Sequence, residues 1–218
     1  MKLALELSQR EATIAVALEE NVATRPVSMG GRQEQDVLWP MIEEATQEVG
    51  GKPADLSEVV LNAGPGGFTG VRTAVATAAM LGRLGAQILA LPAHLAVADA
   101  SLPEGGPDTS IVLAVKNHRA WIGTVRWQEG LWTPSGSPQD VEIEAFFAEH
   151  NPTRVVADEH LPEEFQRVCE IIPLRTSANA LLHRLLKDSS RTPLDQLRPI
   201  YPRVPEAVRL WEERHPSP

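Results

Sequence analysis

The chain has 218 residues, a formal net charge of −9 and 43% hydrophobic residues. That size and apolar content suit one large domain or two small lobes around a real core, and they exclude a disordered tail. The acidity, with no Lys/Arg cluster, speaks against a protein that holds nucleic acid by its own phosphate contacts.

Residues 2–8, 12–18 and 22–28 are short Leu/Val/Ile/Ala runs separated by polar clusters at a spacing of about ten residues, which predicts a three-stranded antiparallel meander. Glu6 interrupts the first run, so the start lacks the apolar core of a secretory signal. Apolar residues at Val37, Leu38, Met41, Ile42, Ala45 and Val49 predict a helix over 34–49 that begins near Pro40 or kinks there and stops at Gly50-Gly51. Residues 58–63 predict a buried strand, 69–84 a long helix after a Gly-rich turn, 87–91 a strand and 93–100 a short helix. The stretch Ser101-Leu102-Pro103-Glu104-Gly105-Gly106-Pro107-Asp108 has linker composition. Beyond it, 110–116 and 120–127 predict a hairpin, 141–150 a helix, 153–158 a strand, and 162–169 and 177–187 two helices. The tail after Thr192 is Pro-rich and is expected to lie over the surface. No stretch approaches the roughly 20 apolar residues of a membrane span. Cys169 is the single cysteine and cannot form an internal disulfide; a cytoplasmic location is the expectation.

The most specific segment is Gly64-Pro65-Gly66-Gly67-Phe68-Thr69-Gly70-Val71-Arg72, between a strand and a helix. Its glycines imply tight turns, some at positive φ, and the helix that follows points free N–H groups back at the turn. A phosphate loop is therefore one reading and a purely structural turn the other. The Walker pattern fails because Val71 stands where Lys is required, and the Gly64, Gly66, Gly70 spacing is one residue too long for a dinucleotide fingerprint.

This nonamer resembles the signature of the TsaB (YeaZ) family, approximately G-[RP]-G-P-G-S-F-T-G-[VL]-R, with Gly67 in place of the usual serine. Leu3-Ala4-Leu5-Glu6-Leu7-Ser8 is similar to that family's opening strand, Leu38-Trp39-Pro40-Met41-Ile42 to its first helix, and Pro92-Ala93-His94-Leu95-Ala96 to the helix after the signature. Val112-Leu113-Ala114-Val115 is similar to the first strand of its second lobe, and Pro199-Ile200-Tyr201-Pro202-Arg203 to its closing Pro-x-Tyr-x-Arg. Three departures stand out: Glu6-Leu7-Ser8 where Asp-Thr-Ser is usual, Glu34-Gln35-Asp36 before the first helix, and Lys116-Asn117-His118 in place of Asp-Ala-Arg.

The resemblance implies an α/β, two-lobed actin-like ATPase and sugar-kinase fold with a degenerate nucleotide site, the N-terminal lobe over 1–103 and a smaller C-terminal lobe over 104–218. It implies an accessory subunit with no catalytic residue, metal or cofactor of its own. Such a subunit pairs with itself when alone and with a TsaD-like catalytic subunit at work, with a TsaE-like ATPase as a further component. It reaches tRNA only through that complex, in making threonylcarbamoyl-adenosine next to the anticodon.

The residues themselves carry little chemistry. Glu6-Leu7-Ser8-Gln9 has no glycine to admit a phosphate, and Glu6 reads as a metal carboxylate or a strand-end carboxylate facing water. Of His94, His118, His150, His160, His183 and His215, no two are three to five residues apart, so no metal-binding pair exists in sequence and surface histidines are the expectation. Asp158-Glu159 and Glu163-Glu164 read as a solvated rim. In the helix after the signature, Thr73, Ala76, Thr77, Met80 and Leu84 form an uncharged stripe opposite a core-facing one. Such a helix is buried on two sides, either beneath this chain's second lobe or against a partner. Trp39 is an interface anchor or ordinary packing. The rival functions are an ATP-dependent kinase or acyl-transfer enzyme of the same superfamily and, third, a metallopeptidase.

Overall fold

The computed structural model describes residues 1–9, 11–28, 37–203, 211, 214 and 215; Glu34, Gln35 and Asp36 lie outside them. Strands β1 (Lys2–Glu6), β2 (Glu11–Leu18) and β3 (Asn21–Ser28) pair antiparallel as a meander. Strands β4 (Glu58–Asn62) and β5 (Gln87–Leu91) add parallel to β1, giving the order β3-β2-β1-β4-β5. Helix α1 (Leu38–Glu48) joins β3 to β4, α2 (Phe68–Arg83) joins β4 to β5, and α3 (Ala93–Ser101) leads to the second lobe. The second sheet has the order β11-β10-β6-β7-β8, built from β6 (Thr109–Lys116), β7 (Arg119–Gln128), β8 (Leu131–Pro134), β10 (Arg154–Ala157) and β11 (Glu170–Pro173), with β9 (Gln139–Glu142) also on β7. Helices α4 (Ile143–His150), α5 (Glu163–Gln166) and α6 (Ala178–Lys187) complete the chain.

Alternation along the strands sets the layers. Leu3, Leu5, Val59 and Leu61 face α1 and α2 in one core. Ala4 and Val60 point the other way, into a core shared with α3, α6 and the inner face of the second sheet through Ile111, Leu113, Trp121 and Trp132. A third core, with Phe146, Phe147 and Leu161, lies outside the second sheet. The two sheets thus sandwich α3 and α6, and α6 crosses back to pack on β1, β2 and β4.

The start of α1 agrees with the first of the two alternatives for Pro40: the helix begins at Leu38, Pro40 is its third residue, where no N–H is needed, and Met41 N donates to Val37 O at 3.1 Å. Several other elements differ from the sequence expectation. The first two residues of the predicted helix over 141–150 belong to strand β9, the rest forming α4, and α5 is a single turn. Strands β8 and β11 were not expected; at four residues each they are too short to show a period. The β6–β7 hairpin turns on Asn117 and His118, both at positive φ, as a two-residue turn requires.

Candidate functional site

The signature turn sits where β4 ends, beside Leu7 and Ser8 at the end of β1. Only Gly64 among its glycines has positive φ, at +100°, and a Cβ there would also meet Ile200 O at 2.6 Å. Gly66 and Gly70 are small for a different reason: they press on the end of β1. A Cβ on Gly70 would lie 1.7 Å from Leu7 O, and one on Gly66 would lie 2.6 Å from Ser8 Cβ and 2.7 Å from Ser8 O. Gly67 N donates to Ser8 O at 2.7 Å. The turn is therefore an anchor of α2 on β1, backbone against backbone. Phe68 and Thr69 remain exposed beside a shallow pocket lined by Ser8, Gln9 and Gly67. The Arg72 guanidinium lies 4.9 Å over the Phe68 ring, and Pro65 is buried.

Beneath the turn lies a buried polar cluster that sequence reading did not assemble. Glu6 is not a strand-end carboxylate facing water: it is 1% exposed, because β1 alternation puts it on the inner face with Ala4. Ser8 N and Ser8 Oγ donate to its Oε1 at 3.1 and 2.5 Å, and Asn62 Nδ2 donates to its Oε2 at 3.0 Å. Asn62 Oδ1 accepts from Gly64 N at 2.9 Å, so the cluster ties the ends of β1 and β4 to the turn. Burial raises the Glu6 pKa against the opposing hydrogen bonds from Ser8 and Asn62. Both carboxylate oxygens are already engaged, which leaves the carboxylate little capacity for a cation.

The inter-lobe cleft opens between the β1–β2 turn and the second lobe, with a volume of about 730 Å³ and with Glu11, Asp158, Glu159, His160 and Arg175 on its walls. Among the described residues, three carboxylates stand against one arginine on its walls, which makes a poor host for a polyphosphate. Asp158 and Glu159 thus form the rim expected of them, at the mouth of this cleft. Among the described residues no group of three or more His, Cys, Asp or Glu side chains could hold a metal ion, and no helix is long and apolar enough to cross a membrane.

His94 corrects the expectation of surface histidines. It is 1% exposed in α3, edge-on to Trp121 at 5.2 Å and against Gly123, where a Cβ would meet its Cγ at 2.8 Å. Neither ring nitrogen has a hydrogen-bond partner among the described residues. Burial first, and the nearby Arg184 charge second, lower its pKa to about 4.

The uncharged stripe of α2 is split by the fold. Ala76 is exposed, Met80 and Leu84 are 43% and 79% exposed, and Thr73 is half-buried. Thr77, placed on the same stripe by spacing, is instead buried at 6% exposure. Trp39 is 38% exposed. On α1, Glu48 pairs with Arg25 of the edge strand β3. Thr73, Ala76, Met80 and Leu84 thus share the outer side of α2.

The tail contributes residues that the sequence did not link to the turn. Ile200 N donates to Ala63 O at 2.7 Å, Tyr201 stacks on Phe68 at 5.6 Å, and Arg203 bonds Asp140 Oδ1 at 2.8 Å through Nε. Asp140 also accepts from Arg119 Nε at 2.9 Å, and the two cations hold its carboxyl below the usual range against the cost of its partial burial. The adjacency of a Pro-x-Tyr-x-Arg run to a Gly-rich turn 133 positions away had no local signal.

Two lobes, each a mixed sheet with helices, and a central helix layer define an α/β protein of the actin-like ATPase and sugar-kinase class. Within that class the fold is that of YeaZ. A crystal structure described as an uncharacterized protein with similarity to peptidase YEAZ from Pseudomonas aeruginosa superposes with a TM-score of 0.72 at 19% identity, over 93% of this chain and 99% of that one. YeaZ from Pseudomonas aeruginosa gives a TM-score of 0.72 at 18% identity, over 92% and 98%. Residues 24–115, from β3 through β6 and including the signature, match the family model described as TsaD, tRNA N6-adenosine threonylcarbamoyltransferase. No curated protein matches the chain. The structural likeness to YeaZ and the TsaD model match agree with the resemblance carried by the Gly-rich nonamer.

Proposed function

We propose that this chain is a TsaB-like partner subunit, without chemistry of its own, that docks on a TsaD-like synthase in the cytoplasm. In this role it supports threonylcarbamoylation of the tRNA adenosine next to the anticodon, with a TsaE-like ATPase as a further component and tRNA held by the complex. Alone, it pairs with itself through the same surface. The observation that carries the reading is the outer face of α2: Ala76, Met80 and Leu84 leave an uncharged apolar strip in water on an otherwise acidic chain, and Trp39 of α1 is exposed as well. The acid-walled cleft and the glycine-free Glu6-Leu7-Ser8-Gln9 turn support the lack of ATP chemistry.

A second reading, catalysis by this chain, draws on the match to a synthase model over residues 24–115. Two measurements separate them. Titrating ATP·Mg²⁺ into the isolated chain gives no micromolar binding under the first reading, and the chain co-purifies with a TsaD-like subunit. Micromolar binding with turnover, or no complex with such a subunit, overturns it.

A further inference from the structure

We propose that the C-terminal segment, residues 192–203, is a structural part of the docking face and selects an acidic contact on the synthase; this rests on the partner-subunit reading above. The segment leaves α6 and is tied to the first sheet by Arg191, which bonds Glu58 at 2.6 Å, and by Thr192, whose N–H donates to Ile88 O at 2.7 Å and whose Oγ1 accepts from Ala90 N at 3.0 Å. It then follows α2 from end to end. Leu194 packs against Gly82 in the last turn, where a Cβ would meet its Cδ2 at 2.5 Å, and Tyr201 stacks on Phe68 in the first. Gly82 and Phe68 are roughly four helical turns apart on one flank. α2 is therefore bordered along its length by this segment.

The segment brings exposed apolar surface to that border. Leu194 is 43% exposed, Tyr201 39% and Phe68 54%, and all three flank the Ala76–Met80 strip. Its border also differs in charge from the rest of the face. Arg72 and Arg83 of α2 and Arg198 of the segment are exposed against the single carboxylate of the segment, Asp195, and none of the three pairs with a carboxylate among the described residues. Helix α1 instead exposes Glu43 and Glu44. A basic border on a chain of net charge −9 is unexpected unless it meets an acidic surface. The geometry points to an occupant that offers an apolar helix face over α2, sockets for Leu194 and Tyr201, and carboxylates opposite Arg72, Arg83 and Arg198.

The test is association of the full chain with the TsaD-like subunit, followed by calorimetry in low and high salt. Leu194→Ser with Tyr201→Ser should weaken binding at least tenfold. Arg83→Glu with Arg198→Glu, which removes no packing, should weaken it tenfold and flatten its salt dependence. Val168→Ser, a change at a still more exposed apolar residue on the second lobe, should leave it unaltered. Parental affinity in the charge-reversed variant overturns the acidic contact, and parental affinity in both overturns the role of the segment, while the partner reading stands. Loss of self-association with synthase binding intact reassigns the face to a second copy and overturns the synthase as its occupant. Failure of the unaltered chain to bind the synthase refutes the partner reading itself.

Discussion

Gly70→Ala tests whether the signature turn is an anchor. The added methyl carbon would sit 1.7 Å from Leu7 O, when carbon and oxygen need roughly 3.2 Å. Neither neighbour is a side chain that can swing away: one is the backbone of β1, the other the first turn of α2. The helix must retreat by about 1.5 Å at its start, which overpacks the contact at a cost of about 1–3 kcal/mol. The same retreat stretches the 2.7 Å bond from Gly67 N to Ser8 O and loosens a buried pairing worth about 1–2 kcal/mol. The sum is about 2–5 kcal/mol, a fall in melting temperature of roughly 5–20 °C for a chain of this size. Gly66→Ala, with its 2.6 Å approach to Ser8 Cβ and 2.7 Å approach to Ser8 O, should follow closely, whereas Gly67→Ala meets nothing nearer than 3.3 Å and should cost under about 0.5 kcal/mol. Urea unfolding of the three variants reads this order directly. A Gly70→Ala protein within about 0.5 kcal/mol of the parent would refute the anchoring argument, and so would three equal losses.

Thr77→Glu places a carboxylate at a position only 6% exposed and should destabilise the monomer by about 3 kcal/mol or more. Ala76→Arg, one residue away and exposed, should melt like the parent and block association with the synthase; equal melting of the two would mean the stripe is not divided as described. His94 has a folded pKa of about 4 against an ordinary 6.5, so between those values the unfolded chain takes up a proton that the folded one refuses, and stability falls as pH drops. His94→Leu removes that loss, and its stability relative to the parent should improve by up to about 3 kcal/mol between pH 7 and 4; a pH-independent difference would show that the ring protonates in place. Asp99, raised to about 6 by burial against Arg184, acts in the opposite direction between about 6 and 3.8, so Asp99→Asn should steepen the acid-side loss in a His94-containing chain. Arg203→Ala removes a half-buried cation from Asp140 and Ala114 O and should cost about 1 kcal/mol, with faster proteolysis of residues 192–203 as the readout.

How far the sequence exposes this molecule depends on the range of the interaction. The first lobe was legible because each element is long enough to show its period and is bounded by Gly or polar clusters. Strands β8, β9 and β11 are four residues each and were lost. The Glu6–Asn62 cluster had a partial signal: strict alternation assigns Glu6 to the face of Ala4 and Asn62 to that of Val60, two polar residues ending two apolar strands. Their pairing needed the knowledge that β1 and β4 are neighbours, which only the sheet order supplies. Thr77 was misplaced because helical spacing gives an angle around the helix but not which part of the fold closes over that side.

The signature itself shows how close contact and sequence pattern meet. Where the nonamer agrees with the TsaB pattern in glycine, the backbone requires it: Gly64 by its φ of +100° and the approach of Ile200 O, Gly66 by Ser8, Gly70 by Leu7 O. Where it departs, at Gly67, a Cβ would meet Ser8 O at 3.3 Å, a distance at which a neighbour yields a few tenths of an ångström. The helix cap is also extended there, with φ −56° and ψ 123°, a conformation open to any residue and one that serine favours at a helix start. The departure therefore falls at a position that can take a side chain without moving the anchor. Gly67→Ser should restore a capping hydroxyl for the first turn of α2 and leave the docking face unaltered. The three remaining glycines hold the Phe68–Tyr201 stack and the Arg72 border in place by fixing where α2 begins.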